Sequence, residues 1–175
     1  MQQYLVITII GDDRPGIVEK LSALVCAHGG NWLECSMAHL AGKFAGILRV
    51  AAEDNQVLAL QAALGGLAEV KAVAELAGSR PAGSVELRRC RLLLVGQDRP
   101  GIVKEVAHVL ASRGVNVETL ESWTDVAAMA ATPLFHAEAV LALAAGTDLA
   151  ELQNDLERIA DDLMVDISLA AENTV

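Results

Sequence analysis

The sequence predicts an α+β fold of two ferredoxin-like βαββαβ domains, each a four-stranded antiparallel sheet with two helices on one face. Three observations predict it: an internal repeat, an alternation of β-rich runs with helical periodicities, and a loop-forming stretch near the middle. Gly11-Asp12-Asp13-Arg14-Pro15-Gly16-Ile17-Val18 recurs 85 residues later as Gly96-Gln97-Asp98-Arg99-Pro100-Gly101-Ile102-Val103. Gly29 and Asn31 return as Gly114 and Asn116, and nine of the twenty-one residues from 11 to 31 match their counterparts. Duplication is the economical explanation.

The elements follow in order. Residues 4–10 and 90–95 are apolar runs of central-strand length. Ile17, Val18, Leu21, Leu24 and Val25 fall on one helical face, and Ile102, Val103, Val106, Val109 and Leu110 repeat the pattern. Gly29 and Gly114 suit the left-handed residue that ends a helix. Strands are expected near 31–40 and 44–53, with Gly42 in the turn, and near 115–124 and 134–143. Val57, Leu60, Leu64 and Leu67 mark a second helix that Gly65-Gly66 stops early. Leu149, Leu152, Leu156, Ile159 and Leu163 mark its counterpart, with Asp148 as N-cap and Glu151 as the third-residue partner. Closing strands are expected at roughly 70–76 and 164–170; in the latter, Val165, Ile167 and Leu169 alternate with polar or small residues. The domains read as 1–78 and 89–175, joined by a linker at 79–88.

The chain has 175 residues, 53 % of them hydrophobic but only 3 % aromatic. Two small domains built from Ala, Leu and Val bury little surface each, so packing on one another or in a homodimer is expected. A net charge of −10 disfavours nucleic acid, whose phosphates need clustered cations. The Arg88, Arg89 and Arg91 cluster reads as a solvated strand start. Cys26, Cys35 and Cys90 are odd in number and lack C-x-x-C spacing, so neither a disulfide framework nor a zinc site is indicated. His28, His39, His108 and His136 lack convincing metal-ligand spacing. There is no nucleophile-elbow sequence and no P-loop. No catalytic residue, metal or cofactor is therefore expected. Met1-Gln2-Gln3-Tyr4 does not resemble a signal peptide, and no apolar stretch is long enough to span a bilayer. The expectation is a soluble cytoplasmic protein.

The repeated loop has two readings. Structurally, Asp13 and Asp98 can cap helix amides, Pro15 and Pro100 fit a first helical turn, and Gly16 and Gly101 allow close backbone approach. Functionally, a glycine-containing helix start presents free N–H groups and the positive end of the helix dipole, which suits a small carboxylate. Asn31 and Asn116 are either turn residues or donors of an amide oxygen to an ammonium group. Trp32 and Trp123 read as packing or interface anchors. The segment 124–131, apolar for a loop, either covers a site or is a plain connection.

Asp-Arg-Pro-Gly-Ile-Val opening a helix, followed by G-x-N, resembles the ACT domain, here in two copies over nearly the whole chain. ACT domains are regulatory modules that bind amino acids. The length and the Thr132-Pro133-Leu134-Phe135 segment are similar to those of the glycine cleavage system transcriptional repressor family. That resemblance implies a regulator, signalled by glycine, that binds no DNA itself and restrains a LysR-type activator. The alternative is an ACT-type regulatory subunit or dimerisation partner of a metabolic enzyme. The resemblance places ligand contacts on Asp12, Asp13, Arg14, Pro15, Gly16, Ile17 and Asn31, and on Gln97, Asp98, Arg99, Pro100, Gly101, Ile102 and Asn116, between two ACT units. Asp12 stands where the second copy has Gln97, so the extra carboxylate is expected to weaken the first site.

Overall fold

The computed structural model describes residues 1–78, 87–125 and 133–171. The chain divides into two compact units, Met1–Arg80 and Pro81–Val175. The first contains β1 (Gln2–Asp12), α1 (Ile17–Ala27), β2 (Asn31–Leu40), β3 (Lys43–Glu53), α2 (Asp54–Gly65) and β4 (Val70–Leu76). The second contains β5 (Leu87–Gln97), α3 (Ile102–Ser112), β6 (Asn116–Asp125), β7 (Leu134–Ala144), α4 (Leu149–Leu163) and β8 (Val165–Ala171). Leu87 and Arg88, expected in the linker, open β5; 79–86 lie outside the described residues. Arg88, Arg89 and Arg91 thus lie within the strand, and Arg89 Nε donates to Glu118 Oε2 at 2.6 Å.

Both sheets are antiparallel, with strand orders β2-β3-β1-β4 and β6-β7-β5-β8. The first strand of each unit is central, so its apolar run is hydrogen-bonded on both sides. Leu5, Ile7 and Ile9 alternate inward in β1, as Cys90, Leu92 and Leu94 do in β5. Helical residues close over them: Leu21, Val25, Leu60 and Leu64 in one unit, Val106, Leu110, Leu152 and Leu156 in the other. An irregularity in strand register recurs at Leu33 in β2 and at Glu118 in β6, which supports duplication at the level of backbone geometry.

Local chemistry explains most boundaries. Gly66 terminates α2, as the glycine pair implied. Asp148 caps α4, accepting from Ala150 N–H at 2.8 Å and Glu151 N–H at 3.3 Å. Glu151 does not complete the reciprocal cap; it pairs with Arg113 at the end of α3. Arg113 Nε also donates to Asp155 Oδ2 at 2.7 Å. This clamp raises the Arg113 pKa, first through the hydrogen bond to Asp155 and then through that to Glu151, and it fixes α3 against α4.

The β2–β3 turn departs from ideal chemistry. Ala41 (φ 50°) and Gly42 (φ 76°) are both left-handed, the geometry of a two-residue type I′ hairpin. A side chain at Ala41 is strained there. Ala41→Gly is expected to raise unfolding free energy by about 0.5–1 kcal/mol, measured by urea denaturation; a fall in stability would contradict this account of the turn.

Candidate ligand-binding loops

The two glycines of each repeated motif do different work. Gly11 and Gly96 sit where the central strand passes the last strand of its sheet. A Cβ on Gly11 would lie 2.5 Å from Glu69 O, and one on Gly96 would lie 2.4 Å from Val165 Cγ1. That glycine serves sheet packing. Gly16 (φ 92°) and Gly101 (φ 102°) instead form the helix N-caps in left-handed conformation. A Cβ on Gly16 would come no nearer than 3.9 Å, to Glu19 Oε2, and one on Gly101 would meet nothing within 4 Å. These positions need glycine for its torsion, and the space before them is open.

Two expectations about the loop are corrected. Asp13 and Asp98 do not cap the helices: neither α1 nor α3 has a side-chain cap. Their backbone anchors the loop, with Asp13 N–H donating to Gly42 O at 2.9 Å and Asp98 N–H to Pro133 O at 3.0 Å. Pro15 and Pro100 precede the N-cap glycines and so lie before the first helical turn.

The consequence is a pair of uncapped helix starts. The first helix-closing bonds run from Lys20 N–H to Gly16 O and from Glu105 N–H to Gly101 O, both 3.0 Å. The amides before them, at Ile17 to Glu19 and Ile102 to Lys104, have no acceptor among the described residues. Unsatisfied donors at the positive end of a helix dipole attract an anion. In the first unit they border an open recess of about 290 Å³ between Asp13, Arg14, Ile17, Glu19 and Phe44.

Asn31 and Asn116 are not brought to these loops. Each opens the strand after the helix, at the opposite pole of its own unit. The 11 residues of α1 span about 16 Å. One small ligand cannot touch both features within a unit.

The copies differ in charge around the loop. Asp12 pairs with Lys43 across β1–β3, and Arg14 Nη2 lies 3.5 Å from Asp12 Oδ2. Lys43, chiefly through its hydrogen bond and then through its charge, holds the Asp12 carboxyl below the usual aspartate range. The same register in the second unit pairs Gln97 with Leu134. Arg99 makes no ion pair among the described residues. Two neighbouring cations therefore offset the Asp12 charge, and the physical contrast is a committed Arg14 against an uncommitted Arg99.

Two sequence profiles, each described as the ACT domain, match residues 3–74 and 91–161. The chain belongs to the ACT domain family. An unidentified protein from Galdieria sulphuraria has a similar structure, at 30 % identity and TM-score 0.85, with 99 % of this chain and 100 % of that one aligned. A candidate glycine cleavage system transcriptional repressor shares the fold at 20 % identity and TM-score 0.73, over 99 % of both chains. No curated protein matches at a significant level. ACT membership points to amino-acid-sensing regulation, and both ACT units retain the loop.

Other singled-out residues fall elsewhere. Trp32 packs against the first ACT core. Trp123 is 43 % exposed and stacks on His136 at 5.3 Å between centroids, a pairing that sequence did not reveal. His136 Nε2 lies 3.3 Å from Asp125 Oδ1 but makes no hydrogen bond. Cys90 is buried, whereas Cys26 and Cys35 are exposed. Thr124 and Asp125 end β6, while 126–131 lie outside the described residues. No described helix is long and apolar enough to cross a membrane.

Asp12 gives a pH test. Its depressed native pKa means that its contribution to stability is present at neutral pH and is lost as pH falls through that native value. Carboxyl-carbon NMR should show Asp12 titrating below the ordinary aspartate range, and Lys43→Met should move it upward. No movement in the variant would remove Lys43 as the cause.

Proposed function

We propose that this tandem ACT protein is a non-enzymatic regulator that binds a small amino acid at the repeated helix starts and controls transcription through a protein partner. The observation that carries the reading is the paired left-handed glycine N-cap with no side-chain cap. In this reading the ligand carboxylate meets the free amides of Ile17 to Glu19 or Ile102 to Lys104. Asp12, Asp13, Arg14 and Pro15, and likewise Gln97, Asp98, Arg99 and Pro100, shape the approach to Gly16 and Gly101. Asn31 and Asn116 lie too far from the loop of their own unit to share its ligand.

Glycine is the first ligand to test, because a similarly folded protein is a candidate glycine cleavage repressor. By the family resemblance of the sequence, the partner to test is a LysR-type activator. Size sets the affinity scale. At a ceiling of about 1.5 kcal/mol per non-hydrogen atom, the five heavy atoms of glycine bound the binding free energy near −7.5 kcal/mol, a dissociation constant of about 3 μM. Measured values should lie between that bound and the millimolar range.

Calorimetry with glycine is expected to show two unequal sites, the tighter one lost in Arg99→Ala. Gly101→Val should weaken the same site at least tenfold, because a β-branched residue cannot easily hold the torsion that aims the amides. Circular dichroism would verify that the variant still folds. A flat titration with all twenty amino acids, together with no thermal shift at 10 mM, would sink the sensing role.

The outer face of the first sheet supports a homodimer. Tyr4, Ile10, Ile47 and Val73 point away from the helices and are each 45–56 % exposed. Ile47→Glu is expected to shift the protein to monomer in light scattering without altering its helix content. An unchanged mass would move the dimer contact elsewhere.

A further inference from the structure

The two ACT units are packed differently beneath their first helices. In the second unit an apolar crevice of about 50 Å³ lies between α3 and the β6–β7 side of the sheet, bounded by Val106, Val117, Leu120, Phe135, Ala137 and Ala139. Its lining is entirely hydrophobic. The repeat shows how it arose. By helix position Val106 stands where the first unit has Leu21, and by strand register Val117 stands for Trp32, Ser122 for Met37 and Ala139 for Leu48. Leu21, Trp32, Met37 and Leu48 all belong to or pack against the first core. Every one of these four is replaced by something smaller. Within the lining, Ala137 and Leu110 each add back one carbon relative to Gly46 and Val25; the larger Val115, Leu141 and Leu143, which stand for Gly30, Val50 and Ala52, lie off it.

We propose that this crevice is a second binding site, distinct from the loops, that takes the end of a short aliphatic chain. A crevice with no polar lining gives water few partners and favours an apolar guest. Its volume exceeds the ~10–15 Å³ that one small guest such as water requires, which leaves room for the end of a short chain. The rim is itself apolar: Val103, Val117 and Leu120 are 38–51 % exposed. The guest's methyl end enters between α3 and β6 while its polar end stays in solvent. Because Ile102 and Val103 also begin α3, an occupied crevice bears directly on the helix start of this unit and not on that of the first.

The test uses methyl-labelled full-length protein with xenon and with butanoate as probes. Xenon is expected to shift the methyl signals of Val106, Leu110 and Leu120 and to leave those of Leu21 and Val25 unmoved. Butanoate should move the same second-unit signals saturably. Ala139→Leu restores the residue type of the first unit; it should reduce both responses at least tenfold and raise Tm by about 4 °C. Val106→Leu serves the same purpose should Ala139→Leu misfold. Equal xenon shifts in both units, no shift in either, persistence of the response in the filled variant, or a silent butanoate titration would each overturn the site. None of these outcomes depends on whether glycine binds the loops.

Discussion

The structure depends on one backbone constraint: the chain must leave the central strand and enter a helix through a residue with positive φ. Gly16 and Gly101 meet it without steric cost. A serine or aspartate N-cap would adopt extended torsions and bond its own side chain to the second or third amide, closing the donors against any guest. Glycine caps the helix by geometry while leaving the donors bare. The hydrogen bonds from Asp13 and Asp98 to Gly42 and Pro133 then fix the loop to the neighbouring hairpin or strand start. The same residues therefore specify the turn and keep it receptive, so the folding and binding readings of the motif are compatible.

Much of the fold was legible because its signals are local and doubled. Inward alternation at Leu5, Ile7 and Ile9 and the helical stripe at Ile17, Leu21 and Val25 each recur in the second copy, so an ambiguous pattern in one is resolved by the other. The loop was less legible. Asp13 precedes a helix and has the chemistry of a cap, yet the N-cap falls three residues later, because the Pro15-Gly16 step inserts a turn first. The family resemblance also grouped Asn31 with the loop, from which one helix separates it in sequence. Helix α1 carries the chain to the other pole, and linear proximity across a helix reverses into spatial separation. Lys43 was missed for the opposite reason: it is remote in sequence and becomes the partner of Asp12 only through the β1–β3 register.

Charge at the two loops shows how duplication permits divergence. A carboxylate beside an anion site should repel ligand, and Asp12 alone would do so. The register supplies Lys43 directly across from it, and Arg14 stands beside it. The pair is exposed and contributes little to stability, but it occupies cations that a ligand would otherwise meet. Removal of both members from the second copy, as Gln97 and Leu134, leaves Arg99 without an ion pair among the described residues. A change that looks like the loss of an ion pair also frees a cation beside the loop.

Divergence in the cores follows a different rule from divergence at the loops. Exposed charges can change singly, because solvent absorbs the difference. Buried volumes are coupled, since a lost side chain leaves a void unless a neighbour expands into it. The second ACT unit keeps its sheet and helix positions while Leu21, Trp32, Met37 and Leu48 all have smaller counterparts, and the larger Val115, Leu141 and Leu143 lie away from the crevice. Independent drift in a core meets a stability cost at each step. Four reductions gathered on one side of α3, rimmed by partly exposed Val103, Val117 and Leu120, leave that cost in place unless an apolar guest offsets it. The volume rule thus leads to the same asymmetry as the charge rule: two units that share a backbone and present different surfaces.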